Sequence, residues 1–173
     1  MTTWVAPDIV PADELFQGGE REMLQGFLQN ARESLLKRCA GLTADQLVIR
    51  SSPPSTLSLL GIVRHLTDVE RIWFRIRFAG EEVALPYRTA ENPDSAFDEA
   101  VAERAAADIA RYRAEWTAAD AAVASLALDD IYQSPRWGVL NLRWAYLHTI
   151  REYSGHCGQA DIIRERIDGR TQS

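Results

Sequence analysis

The sequence is poor in sulfur and in imidazole: its 173 residues hold two cysteines, Cys39 and Cys157, and three histidines, His65, His148 and His156. Two cysteines without C-x-x-C spacing argue against a disulfide framework, a dithiol redox pair or a thiolate zinc site. No apolar run approaches the roughly 20 residues that cross a bilayer. The opening stretch MTTWVAPDIVPADE has neither a basic n-region nor an apolar h-region, so the expected location is the cytoplasm, with no membrane partner. Basic residues are outnumbered, 19 Lys and Arg against 25 Asp and Glu, for a formal net charge of −6. Grip on a phosphate backbone comes from Lys and Arg, and nucleic acid is not the expected partner. Glycine-rich phosphate loops, a GxSxG elbow and the Glu-x-x-His pair of di-iron bundles are also absent.

What is present is helix. With 46% hydrophobic and 25% charged residues, the chain is expected to be one globular domain over residues 1–173. Apolar positions Leu24, Phe27, Leu28, Ala31, Leu35 and Cys39 recur at three and four, which predicts a helix over 20–40 stopped by Gly41. Thr43-x-x-Gln46 is a capping pattern for a short turn, and Pro53 and Pro54 forbid continuation. Ser58 is a good N-cap for a second helix running to Gly80, with Ile62, His65, Val69, Ile72 and Ile76 on one face. Residues 81–94 lack periodicity and read as a long crossover. A third helix starts between Ser95 and Glu103 and buries Ile109, Tyr112, Trp116, Ala119, Val123 and Leu126. Asn141 then caps a last helix that runs to about Asp168 and is closed by Gly169. Four helices with no strand pattern between them make an all-α four-helix bundle the expected fold.

One row of polar residues needs a chemical account. His148, Glu152 and His156 stand four apart on the last helix, with Asn141 and Gln159 in line and Trp144, Ala145, Ala160 and Ile163 alongside. Helical neighbours four apart lie about 6 Å from one another, whereas residues eight apart lie about 12 Å apart along the axis. One metal ion therefore bridges either His148 with Glu152 or Glu152 with His156, and spacing does not choose. A catalytic ion usually takes three protein ligands, and the third would come from another helix. His65, between Ile62 and Val69, is the one histidine outside this row. The blander accounts are a surface ion pair for His148 and Glu152 and a satisfied core imidazole for His65. Cys157 adjoins His156 but points about 100° away on a helix, and Cys39 belongs to an apolar stripe.

Two segments carry a resemblance. PPSTLSLLGIVRHLTDVERIWF and LRWAYLHTIREYSGHCGQADIIRE resemble the signature helices of the DinB-like superfamily, in the branch near mycothiol-dependent maleylpyruvate isomerase, and LLKRCAGLTADQL is similar too. The resemblance implies a DinB-like bundle with a long crossover between the second and third helices and one divalent ion, zinc first, with nickel or iron as alternatives. It implies His65, Glu152 and His156 as ligands, which makes His148 a pocket residue. Related sequences often read RHxGHAD where this chain has GHCGQAD, so Gly155 and Gln159 depart from the pattern.

The activity so implied is an S-transfer or thiol-assisted isomerisation, in which a low-molecular-weight thiol such as mycothiol attacks a small electrophile as a metal-activated thiolate. Arg143 is a further candidate for the pocket. Arg64, Arg71 and Arg75 could meet substrate carboxylates, and Trp73, Trp137 and Trp144 could form an apolar wall. Two other readings compete: an oxygen-activating iron site, and a binding module whose ion is structural or sensory. Exposed helix faces and the resemblance are compatible with a homodimer.

Overall fold

Caps and stops set the helices where the sequence places them. The computed structural model describes residues 4–171. It comprises α1 (Glu20–Cys39), α2 (Ala44–Leu47), α3 (Leu59–Glu70, continued by a π-helical stretch Arg71–Phe78), α4 (Ser95–Asp98), a 3-10 turn (Ala102–Arg104), α5 (Ala105–Ala122), β1 (Ile131–Ser134), β2 (Gly138–Asn141) and α6 (Leu142–Asp168). Thr43 and Gln46 form the reciprocal capping box of α2: Thr43 Oγ1 accepts the Gln46 N–H at 3.3 Å, and Gln46 Oε1 accepts the Thr43 N–H at 2.9 Å. Ser58 Oγ accepts the Gly61 N–H at 3.1 Å, and Asn141 Oδ1 accepts the Trp144 N–H at 2.9 Å. Gly169, at φ 74°, ends α6 in a left-handed conformation open to a residue without Cβ.

The long helices share one core. α1 packs along α6, while α3 touches α1, α4, α5 and α6 and so lies at the centre. That position explains why α3 is buried nearly all round, where periodicity predicts a single apolar stripe. None of the helices among the described residues is long and apolar enough to cross a membrane.

Three details differ from expectation. Phe27 is exposed, so the inner face of α1 runs through Leu28, Arg32, Leu35, Leu36 and Cys39 instead. α5 ends at Ala122, which leaves Val123 and Leu126 in the turn beyond it, although Val123 is still buried. The segment after α5, where no strand pattern is expected, forms a hairpin: β1 and β2 pair antiparallel, with Ile131 opposite Asn141 and Ser134 opposite Gly138. Gly138 takes φ 74°, a conformation that glycine adopts without strain, and so lets the chain reverse.

The crossover from α3 to α5 is tied down at several points. Arg64 donates to the carbonyls of Glu99 at 2.5 Å and Ser95 at 3.2 Å and lies over the Tyr87 ring. Tyr87 donates its hydroxyl to Asp108 on α5 at 2.9 Å, and Asp68 on α3 accepts the Arg88 N–H at 2.7 Å. These ties hold the crossover against the middle of α3, at the level of His65.

Candidate metal centre

α3 and α6 present His65, Glu152 and His156 to a common point. One ligand atom from each lies within 4.8 Å of the other two. His65 Nε2 is 4.0 Å from Glu152 Oε2, and the His65 and His156 rings meet edge to face at 4.7 Å between centroids. Atoms bound to one ion at about 2.1 Å lie at most about 4.2 Å apart, so small side-chain rotations would close the triangle on an ion.

Electrostatics suits the set to a cation. Burial, chiefly, and then His156 and Arg88 push the His65 pKa down to about 4. Burial also lowers that of His156, against the opposing pull of Gln159 and Glu152. Two packed imidazoles that stay neutral keep their lone pairs for a Lewis acid, and Glu152 supplies negative charge. The donor types, two neutral nitrogens and one carboxylate oxygen, fit a divalent transition ion.

The residues around the triad fix its orientation. Gln159 Oε1 lies 2.7 Å from His156 Nδ1 and accepts its N–H, which leaves the lone pair on Nε2. The departure at Gln159 therefore has a structural role. On the other side of Glu152, His148 Nε2 is 3.7 Å from Oε1. Arg151 donates to His148 Nδ1 at 2.8 Å, which places the His148 proton on Nε2, facing the carboxylate. The His148 ring stacks on Trp144 at 4.7 Å and 7° and meets Trp73 at 4.8 Å.

The remaining candidates fall elsewhere or serve packing. Arg143 is ion-paired with Glu20 and Asp129 near the start of α6, nine residues and about 14 Å along the helix from Glu152. Arg64 anchors the crossover, and Arg71 and Arg75 are both paired with Glu115. Trp73, Trp137 and Trp144 do gather beside His148, with Arg77 lying 4.0 Å over the Trp73 ring. Gly155 is exposed, and a Cβ added there would meet nothing within 4 Å, so this departure makes room for no neighbouring side chain. Cys157 and Cys39 are buried, and burial raises both thiol pKa values, that of Cys39 to about 12.

Sequence reasoning missed Phe97, which stacks on His65 at 5.0 Å, and Asp68, one turn along α3 from His65. The Gln159 spacing of three from His156 was a readable signal; Phe97 on the crossover gave none.

Comparison with known proteins agrees on one family. A family model described as Mycothiol-S-transferase matches residues 23–169, most of the chain. No curated protein matches it.

Proposed function

Because the chain belongs to the mycothiol-S-transferase family, we propose that it is a transferase that binds mycothiol and joins its sulfur to a small electrophile. The reading includes one divalent ion held by His65, Glu152 and His156, with zinc the first choice and nickel or iron the alternatives. The observation that carries it is the meeting of three ligand atoms within 4.8 Å, drawn from two helices. In this reading the four long helices form a DinB-like four-helix bundle, crossed over by residues 79–104.

An ion bound there lowers the pKa of a coordinated thiol, so that thiolate, the reactive form, is present near neutral pH. The chain's own residues prepare the site. Gln159 fixes the His156 tautomer, and His148, held by Arg151, turns its N–H toward Glu152. Glu152 offsets part of the ion's charge. Trp73 and Trp144 wall off the His148 side from water.

The test is elemental analysis of dialysed, untagged protein beside His156→Ala, followed by assay of mycothiol transfer to monobromobimane. One ion per wild-type chain, lost in the variant together with transfer, supports the reading. Transfer that survives full loss of metal rejects the ion, and metal-loaded protein without transfer rejects the transferase. Oxygen consumption coupled to turnover would favour an iron oxygenase instead.

A further inference from the structure

A cavity of about 180 Å³ opens beside His65, between α3 and the crossover. That is well beyond the roughly 10–15 Å³ one water occupies, and suits a ring-sized group. Its polar lining is His65, Asp68, Arg88 and Asp94; Ile72 and Phe97 contribute apolar surface. His65 thus belongs to both the triad and this cavity, and a ligand seated here has the triad within reach of a short tether.

Asp68 carries the argument. It is 2% exposed, one of its oxygens accepts the Arg88 N–H at 2.7 Å, and the other, Oδ1, has no partner among the described residues. A buried carboxylate oxygen without a donor costs free energy, so the site favours a ligand that supplies one. Burial raises the Asp68 pKa to about 6 against the opposing effects of backbone N–H groups, Arg71 and Arg64. The Arg88 guanidinium is exposed and makes no hydrogen bond or ion pair among the described residues, where Arg88 bonds only through its backbone.

The lining selects by elimination. An anion would meet Asp68 and Asp94. A cation would meet Arg88, and an apolar group would leave Asp68 Oδ1 without a donor. A neutral ring bearing adjacent hydroxyls satisfies all of them: it donates to the carboxylates, accepts from the guanidinium and lays its C–H face on Ile72 and Phe97. We propose that this cavity is the subsite for a sugar ring of the polyhydroxylated half of the thiol cofactor, the amide-linked glucosaminyl-inositol of mycothiol, with Asp68 Oδ1 the buried acceptor and Arg88 the donor at the rim. The assignment rests on the mycothiol reading above and adds the residues that distinguish this thiol from simpler ones.

The test is calorimetric titration of N-acetylglucosaminyl-inositol, which is thiol-free and keeps the neutral amide, into wild type, Arg88→Ala and Asp68→Asn, each with and without zinc. The ratio of kcat/KM for mycothiol over N-acetylcysteine is measured alongside. Arg88 is exposed, so its replacement reads binding independently of folding. The expected result is binding to wild type whether or not zinc is present, with affinity and the kcat/KM ratio each about tenfold lower in either variant, the effect of one charge-assisted hydrogen bond. No binding to wild type, or equal binding by all three proteins, overturns the subsite. Binding without any mycothiol transfer leaves the subsite standing and rejects the transferase reading, so the two failures are distinguishable.

Discussion

Tyr153, the residue after Glu152, donates its hydroxyl to Glu70 Oε1 on α3 at 2.5 Å. Glu70, fully buried, also takes the Arg32 guanidinium of α1 at 2.9 and 2.5 Å, and Arg32 reaches on to Asp120 at 2.8 Å. One carboxylate thus ties together the two helices that bear the triad, together with α1. Glu70→Ala would leave Arg32 as a buried charge without its main partner, and a loss of about 3–5 kcal/mol is expected. Tyr153→Phe removes one hydrogen bond and leaves Arg32 on Glu70, for about 1–2 kcal/mol. Urea unfolding of the two variants checks the order; equal losses would show that the ion pair is not the main tie.

Gln159 positions His156 through one hydrogen bond. Gln159→Leu keeps the bulk and removes the acceptor, so zinc affinity is expected to fall about 10–100-fold while the fold persists. Competition against a chelator of known affinity measures this.

Asp68 makes stability depend on pH. Its pKa rises from 3.8 unfolded to about 6 folded, so the folded protein binds more protons between those values. Stability therefore declines as pH rises from about 4 through 6, by about 3 kcal/mol at full ionisation. Asp68→Asn removes the charge and keeps an acceptor for the Arg88 N–H. The variant is expected to be more stable than wild type at pH 7, with the gap closing below pH 4. Denaturation at pH 4, 6 and 8 checks it, and a gap that stays constant with pH would assign the effect to packing.

Gly155 is an exposed glycine inside α6 with open space around its missing Cβ. Gly155→Ala is expected to stabilise by about 0.5–1 kcal/mol through helix propensity. A rise of about 1–4 °C in melting temperature is the corresponding readout.

The helices were legible because their ends carry local chemistry: Thr43, Ser58 and Asn141 each cap within three residues of themselves. The hairpin was not, since Ile131–Ser134 and Gly138–Asn141 are four residues each and mostly solvent-facing, too short to show a period. At the site, spacing put Glu152 within a turn of both His148 and His156, and the resemblance alone chose between them. The placement of α3 brings the His65 ring to 4.7 Å from that of His156, a relation that spacing on α6 alone does not state. Asp68 and Phe97 were invisible for the same reason: their meaning depends on a crossover whose path the local sequence does not state.

Both thiols of the chain lie inside the core, Cys39 1% and Cys157 8% exposed, and burial holds them protonated. For a protein that handles electrophiles this amounts to immunity from its own reagents. An alkylating compound that enters the site meets imidazole and carboxylate on the chain and no thiolate, so the cofactor's thiol is the only one offered. Capture of such compounds by the chain's own cysteines would have to begin with an opening of the core.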